Sequence, residues 1–195
     1  MTRRIAIIQG HPDVAPDRFC RQFAEAYAKS AREAGHTVEM IDVATLDFPL
    51  LRSKEDYEKA AAPPVIAQAQ EIIRRAEHLV VVFPLWLGDM PALLKGFLEQ
   101  TLRPSFAYSG AMDGGRFRKL LKGKSARVVV MMGMPAVIYR LYFGAHGLKN
   151  LRRNILSFCG IGPIRESLIG LIEQKNPKAR HKWLACAQAL GRKGE

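Results

Sequence analysis

The sequence predicts a three-layer α/β protein in which helices cover both faces of a doubly wound, five-stranded parallel sheet. Apolar, β-branched runs alternate with segments of helical periodicity, as is typical of this class. The runs His78–Pro84 and Ala126–Met132 are apolar on both faces, as strands between two helical layers must be. Five strands fit the order 2-1-3-4-5 better than a six-stranded dinucleotide-binding sheet. With 195 residues and neither repeat nor linker, we expect one domain over residues 1–195.

The first third of the chain predicts two strands and the helix between them. Arg4–Gln9 is a short apolar run that indicates a buried strand. Residues 18–34 form a predicted helix, because aromatic and small apolar side chains recur there every four residues. Thr37–Val43 alternates in polarity and predicts an outer strand, with Val38 and Met40 facing inward and Ile41 facing outward.

The middle of the chain predicts a long loop, two helices and a central strand. Residues 44–64 are rich in charge and proline and indicate the loop. Val65–Ala76 has apolar residues on one helical face and leads into the strand His78–Pro84. A further helix is expected to begin near Met90-Pro91 and to stop before Pro104.

The last third predicts two more strands. Residues 109–124 are glycine-rich and basic and indicate a surface loop, which leads into the strand 126–132. A helix over His146–Cys159, a strand over Pro163–Ile172 and a helix over Lys178–Leu190 complete the pattern. The resulting order of elements is the flavodoxin-like one.

The charge of the chain is its unusual global property. Thirty Lys and Arg against eighteen Asp and Glu give +12, which suggests an anionic partner: nucleic acid, an acidic membrane surface or a phosphorylated small molecule. No basic helix with interleaved aromatic side chains supports nucleic-acid binding, so we expect none. Three widely spaced cysteines without a CxxC pair, and no motif of metal ligands, predict neither a disulfide framework nor a metal site. They favour a reducing compartment, the cytoplasm, and no apolar run is long enough to span a bilayer.

Ligands of such sheets bind beyond the carboxyl ends of the strands, at the topological switch point. After the first strand, residues 10–19 lead into a helix whose N–H groups, together with Arg18, suit an anion. The alternative is an ordinary loop in which Asp13 or Asp17 caps the helix. After the third strand, the apolar loop around Trp86 predicts a flat aromatic ligand; the alternative is packing against the protein itself or a partner subunit.

The segment after the fourth strand adds groups that can donate protons. Gly133 permits close backbone approach to a ligand. Tyr139 and His146 follow, and such side chains can donate protons to a developing anion. Tyr142 is an alternative partner for Tyr139.

Motifs along nearly the whole chain carry a family resemblance. The densest is FPLWLGDMPALLKGFLEQTL at Phe83–Leu102, and others follow in the same order: His11-Pro12, Phe106-Ala107-Tyr108, Tyr139, Phe158-Cys159-Gly160 and Ala179-Arg180. In these motifs the chain resembles the NAD(P)H:quinone oxidoreductase family of flavodoxin-like flavoproteins, which includes bacterial NADPH-quinone reductases of the modulator-of-drug-activity type and mammalian diaphorases.

The resemblance implies a homodimer with a flavin, FAD or FMN, at each of two sites on the interface. It implies ping-pong transfer of two electrons from NAD(P)H through the flavin to a quinone or similar small acceptor. The residues that would bind the flavin are His11, Arg18, Phe19, Pro84, Leu85, Trp86, Leu87, Gly88, Met132 and Gly133, with Glu99 and Arg180 toward the adenosine of an FAD. Tyr139 and His146 would act at the N1/O2 edge of the ring, and Phe106 and Tyr108 would line the substrate slot, to which we add Tyr142.

The chain departs from the family pattern at two places. Arg18-Phe19-Cys20 stands where relatives have Ser-Phe-Asn, so Arg18 is expected to replace a hydroxyl at the phosphates. Met131, Met132 and Met134 replace small residues after the fourth strand, where they could narrow the site. These methionines motivate an alternative function, a non-enzymatic or weakly active regulatory subunit that binds a partner protein.

Overall fold

The computed structural model describes residues 2–110, 116–173 and 177–195, and its centre is a parallel sheet of five strands. Neighbouring strands follow the order 2-1-3-4-5, which confirms the predicted topology. The bounds of the strands in chain order are β1 Arg4–Gln9, β2 Thr37–Asp42, β3 His78–Pro84, β4 Ser125–Met131 and β5 Ile164–Ile169.

Helices cover both faces of this sheet. Their bounds in chain order are α1 Phe19–Glu33, α2 Lys54–Glu58, α3 Pro64–Arg75, α4 Ala92–Thr101, α5 Ala136–Leu141, α6 His146–Lys149, α7 Ser157–Cys159 and α8 Pro177–Lys193. A π-helical stretch, Asn150–Leu156, joins α6 to α7 and makes the predicted helix over 146–159 continuous. In the described part of the chain, no helix is both long and apolar enough to cross a membrane.

Two apolar cores separate the three layers. On one face, α1 and α8 cover the sheet, with Phe23 and Tyr27 fully buried beneath them. On the other face, the core is formed by α3, α4 and the helical segment 146–159, with Leu94 and Phe97 at its centre. Gly191 of α8 permits a close approach to α1, because a β-carbon there would lie 2.3 Å from the main-chain oxygen of Tyr27.

Four local predictions were incomplete or wrong. Ile41 is buried rather than outward-facing, because the core on the α3–α4 side also covers β2. The predicted loop 44–64 contains α2, which the capping box of Ser53 and Asp56 begins. The helix α5 was not expected between β4 and residue 146. The basic segment 109–124 contains a two-stranded hairpin, Tyr108–Ser109 with Arg118–Lys119, while residues 111–115 lie outside the described part.

Candidate active site

The carboxyl ends of the strands bring the predicted loops to one crevice. Hydrogen bonds continue the sheet beyond the strands: the Gly10 N–H donates to the Val82 oxygen at 2.8 Å, and the Leu85 N–H donates to Met131 at 2.7 Å. The loops after β1, β3 and β4 therefore start side by side. This is the switch point at which the order of the strands reverses, and the position at which ligands of such sheets bind.

A tight turn after β3 presents two apolar side chains to solvent at this edge of the sheet. Trp86 and Asp89 exchange two main-chain hydrogen bonds of 2.9 and 3.0 Å. The residues between them, Leu87 and Gly88, both have positive φ angles, 49° and 82°, as a two-residue hairpin turn requires. Leu87 is fully exposed and Trp86 is 49% exposed. A leucine that is strained in its backbone and makes no use of its side chain in packing indicates a ligand contact.

The loop after β1 is ordered by its own polar groups. The Asp13 carboxylate accepts the Ala15 N–H at 2.8 Å and pairs with Arg18 at 2.6 Å. The hydrogen bond from Ala15, followed by that from Arg18, lowers the pKa of Asp13. His11 accepts the Asp13 N–H and meets the Trp86 ring edge-on, with 6.1 Å between ring centroids. Burial lowers the pKa of His11, so its ring is neutral at pH 7.

The first turn of α1 is open to an anion. Arg18 is the N-cap residue and makes no side-chain hydrogen bond to the helix, so neither Asp13 nor Asp17 caps it as the alternative required. The first N–H groups of an uncapped helix attract negative charge. Arg18 is less free than the sequence suggested, because Asp13 already neutralises part of its charge.

Arg180 lies beside this helix start. Its guanidinium stands 4.9 Å from the centre of the Phe19 ring and donates to the Asp17 main-chain oxygen at 3.0 Å. Together with Trp183 of α8, these side chains border a cavity of about 270 Å³ beyond the end of β5. Glu99 lies instead on α4, on the other face of the sheet. The structure therefore does not bring Glu99 and Arg180 together within one chain.

Met131 and Met132 do not fill the crevice, whereas Met134 is only partly buried in the loop after Gly133. Met131 is completely buried in the α1–α8 core, and Met132 is 2% exposed in the opposite core. The residue that does approach Gly133 is Glu173, whose carboxylate would lie 3.1 Å from a β-carbon at that glycine. Sequence reasoning missed Glu173, because a polar residue in the loop after β5 carries no distinguishing signal.

Tyr139 and His146 lie on one compact segment against the apolar turn. The Tyr139 hydroxyl is buried and accepts the Leu148 N–H at 3.2 Å. Burial raises the pKa of Tyr139. His146 is exposed and precedes Gly147, where a β-carbon would lie 2.7 Å from the main-chain oxygen of Gly88. His146 is therefore next to the turn.

Tyr142 points into a different environment. It is 82% exposed and stacks edge-on against Phe143, with 4.9 Å between their centroids. Tyr142 thus packs against Phe143, whereas His146 lies next to the turn of Leu87 and Gly88. Which of the two acts with Tyr139 stays a prediction.

Of the three residues predicted for a substrate slot, Tyr108 and Phe106 are separated from each other. Tyr108 lines a cleft of about 420 Å³ with Tyr57, Glu99 and Phe158, and its hydroxyl lies 2.7 Å from that of Tyr57. Phe106 is buried elsewhere and lies under the Arg74 guanidinium, 5.3 Å from its ring centre. The loops after β1, β3 and β4 contribute no described residue to the cleft lining.

Sequence reasoning missed Tyr57 and Phe117 as members of this aromatic group. Phe117 packs against Tyr108 and Phe158, with centroid distances of 5.9 and 4.9 Å. Phe117 and Phe158 are 37% and 40% exposed, which is more than a purely structural cluster needs. Helical spacing alone makes Phe158 look like a core residue.

The crevice suits a flat conjugated ring with an anionic tail. Exposed apolar surface at Trp86 and Leu87 would cover the face of a ring, and the open start of α1 with Arg18 and Arg180 would meet negative charge. Gly133 offers exposed backbone without a side chain at the mouth of the crevice, whereas a β-carbon at Gly10 would meet Leu94 of the core. These features fit a flavin, whose conjugated ring is flat and whose phosphate is anionic.

Comparison with known proteins assigns the chain to a family. A family model described as the flavodoxin-like fold, Flavodoxin_2, matches residues 3–190. An uncharacterized NAD(P)H oxidoreductase of Haemophilus influenzae is 29% identical over 93% of this chain and 90% of its own. NAD(P)H dehydrogenase [quinone] 1 of Rattus norvegicus is 26% identical over 91% of this chain and 72% of its own.

A solved structure agrees with this assignment at the level of the fold. The NAD(P)H:quinone oxidoreductase from Methanothermobacter marburgensis superposes with a TM-score of 0.80 and 24% identity, and the match covers 100% of both chains. The resemblance to NAD(P)H:quinone oxidoreductases is thus confirmed, and the chain belongs to the Flavodoxin_2 family of flavodoxin-like proteins.

Proposed function

We propose that the protein is a flavin-dependent oxidoreductase that uses NAD(P)H to reduce a quinone or a related small acceptor. The observation that carries this proposal is the crevice at the switch point, where exposed Trp86 and Leu87 stand opposite an uncapped helix start. Family membership supports it, because the relatives compared above carry oxidoreductase names. The same comparison does not favour a non-enzymatic regulatory subunit.

Different residues at the crevice would bind the ring and the phosphate end of the cofactor. Main-chain groups of residues 84–88 and 132–133 would line the ring, and the Leu87 side chain would contact the acceptor bound against that ring. Phe19, Arg18 and Arg180 would hold the phosphate end, with His11 as a neutral hydrogen-bonding group. A flavin bound there would supply the chemistry for two successive hydride transfers, one from NAD(P)H and one to the acceptor.

Tyr139 and His146 would control protons at this site. Because burial raises the pKa of Tyr139, its hydroxyl keeps its proton at neutral pH and can donate a hydrogen bond. The Leu148 N–H fixes the position of that oxygen, since it donates to it at 3.2 Å. His146 is exposed beside the turn, where its ring nitrogens could hydrogen-bond to a bound ligand.

We further propose that two copies of the chain complete each site. Tyr108, Phe158 and Glu99 line a cleft that the crevice loops of the same chain do not reach. Exposed aromatic side chains in that cleft would suit the slot above Leu87 of a second copy. We place the enzyme in the cytoplasm, because all three cysteines are free thiols.

The test begins with the purified protein and its absorbance. Bound flavin gives absorbance bands at about 370 and 450 nm, and chromatography of the released cofactor distinguishes FMN from FAD. We expect steady oxidation of NADH or NADPH with a soluble quinone, and a mass of two chains by sedimentation. If flavin fails to bind after both forms are added, the proposal is wrong. A flavin-bound but catalytically silent protein would favour the regulatory alternative.

A further inference from the structure

A second group of charged side chains lies at the opposite, amino-terminal edge of the sheet. The strand register places His78 of β3 beside Ser125 of β4, and Arg127 of β4 beside Arg165 of β5. Strand alternation directs these side chains to the face covered by α1 and α8, since Val129, two positions after Arg127, packs in that core. Four polar side chains thus share one face where the sheet begins.

The charges in this group do not balance. Arg127 is 7% exposed, and its Nε donates to the main-chain oxygen of Glu195 at 3.0 Å. Arg165 pairs with the Glu195 carboxylate at 2.6 Å, and Arg3 approaches from the residues before β1. The three guanidinium groups therefore gather around Glu195, and Arg127 also donates to the Ser167 hydroxyl at 2.9 Å. Like charges opposite each other on neighbouring strands are destabilising, and Glu195 offsets this by contacting both Arg127 and Arg165.

A small cavity opens between these side chains. Its volume is about 170 Å³, which is enough for a phosphate-sized ion. It is lined by Arg3, His78, Ser125, Ala126, Pro163, Arg165 and Glu195.

His78 presents an unpartnered nitrogen at this cavity. The residue is only 3% exposed, and its Nε2 has no hydrogen-bond partner among the described residues. The Ser125 Oγ lies 2.8 Å from His78 Nδ1 but 3.5 Å from the Glu77 main-chain oxygen, so we assign the hydroxyl proton to the Nδ1 bond. The ring proton then resides on Nε2, as a buried donor that requires an acceptor.

We propose that this cavity is a binding site for a phosphate-sized oxyanion, with Arg3, Arg165 and the Nε2–H of His78 as its donors. The cavity lining holds the two guanidinium groups of Arg3 and Arg165 against the Glu195 carboxylate side chain, and such charged donors attract an oxyanion. The Glu195 carboxylate is a competitor in the same site, because it already occupies Arg165. Burial, with Arg3 and Arg127 nearby, lowers the pKa of His78 to about 4, so the ring is a neutral donor at pH 7.

The site lies at the edge of the sheet opposite the proposed cofactor crevice, so it can be tested independently of catalysis. The full-length, flavin-loaded protein is titrated with inorganic phosphate at pH 7.5, with sodium chloride adjusted to constant ionic strength. Calorimetry gives the affinity, and ¹⁵N-histidine NMR reports the Nε2 of His78. We expect a saturable shift of that signal while the signal of His11 stays unchanged.

Substitutions identify the donors. Arg165→Gln should weaken phosphate binding by about tenfold or more, since a charge-assisted hydrogen bond is lost. Glu195→Gln should strengthen binding, because it removes the competing carboxylate. Arg153→Gln is the matched control at an exposed arginine on the π-helical stretch and should change nothing.

Two outcomes would overturn the proposal. The first is phosphate binding that is equally tight in Arg165→Gln, or a heat and shift that chloride reproduces at the same ionic strength. The second is a shift of His11 instead of His78 that disappears in Arg18→Gln, which would place the anion at the cofactor crevice.

Discussion

At the scale of single residues, Leu87 has a strained backbone that packing within the chain does not require. Leu87 has a φ of 49° and a fully exposed side chain, so it contributes no apolar burial within the chain. The left-handed conformation costs a non-glycine residue about 1–2 kcal/mol. A ligand that packs against this side chain is the simplest physical reason to keep leucine there.

Leu87→Gly separates stability from function. Glycine removes the strain but loses more conformational entropy on folding, so the free energy of unfolding should stay within about 1 kcal/mol of the original. The KM for the acceptor should rise several-fold, because the apolar contact is lost. Urea unfolding and steady-state kinetics measure the two effects.

Ser105→Gly is the matched control for that substitution. Ser105 also has a positive φ, 69°, and lies outside the loops after β1, β3 and β4. Ser105→Gly reports how relief of backbone strain changes the free energy of unfolding without loss of an apolar side chain. An unchanged KM in Leu87→Gly would show that Leu87 does not contact the acceptor.

At the scale of elements, α8 lies close against α1 at Gly191. Gly191→Ala would place a methyl group 2.3 Å from the Tyr27 main-chain oxygen, a rigid neighbour. The helices would have to separate, and we expect a loss of about 1–3 kcal/mol in the free energy of unfolding.

Gly96→Ala in α4 is the comparison for this prediction. There the new methyl group would meet mainly the end of the Leu50 side chain at 2.6 Å, and Leu50 is 58% exposed and free to move. Helix propensity favours alanine by about 1 kcal/mol, so stability should hold or rise. Equal changes in the two variants, measured by thermal unfolding, would contradict the role given to Gly191.

The sequence was most informative where periodicity is strong. The strands His78–Pro84 and Arg4–Gln9 have the predicted bounds, because a continuous apolar run between two helical layers has few alternatives. Two short helices were not predicted. The helix α2 depends on a local capping box, and α5 is six residues long with most of its apolar side chains exposed. No apolar periodicity with a buried face marks either segment.

The candidate site was predictable to the same extent. The loops at the strand ends follow from topology, so Trp86 and Arg18 were found from their positions alone. The separation of Phe106 from Tyr108 was not, because only the hairpin after α4 decides which side chain turns toward the cleft. Glu173 depends on a contact between loops that lie about forty residues apart in sequence.

At the scale of the whole molecule, the charge of +12 is only partly a solvated surface. Lys124 donates to the main-chain oxygen of Ala76 at 2.6 Å, and Arg127 is buried. Arg18 and Arg180 lie by the crevice, where they and the overall positive charge would attract an anionic substrate.

Ionic strength therefore should affect the two substrates differently. The KM for NADPH should rise about threefold between 20 and 200 mM salt, because screening shortens the reach of the protein's field to about 10 Å or less. The KM for an uncharged quinone should hardly change. Steady-state kinetics at several salt concentrations test this, and parallel changes for both substrates would contradict it.

The packing of α8 on α1 also determines when the protein can finish folding. Residues 17–27 contact residues 180–191 through Arg180 and Gly191, a separation of more than 150 residues in sequence. Contacts this distant form late, since the intervening chain must first be ordered. During synthesis, the surface of α1 that α8 covers would stay exposed until α8 emerges. In that interval the nascent chain is most prone to associate with other chains.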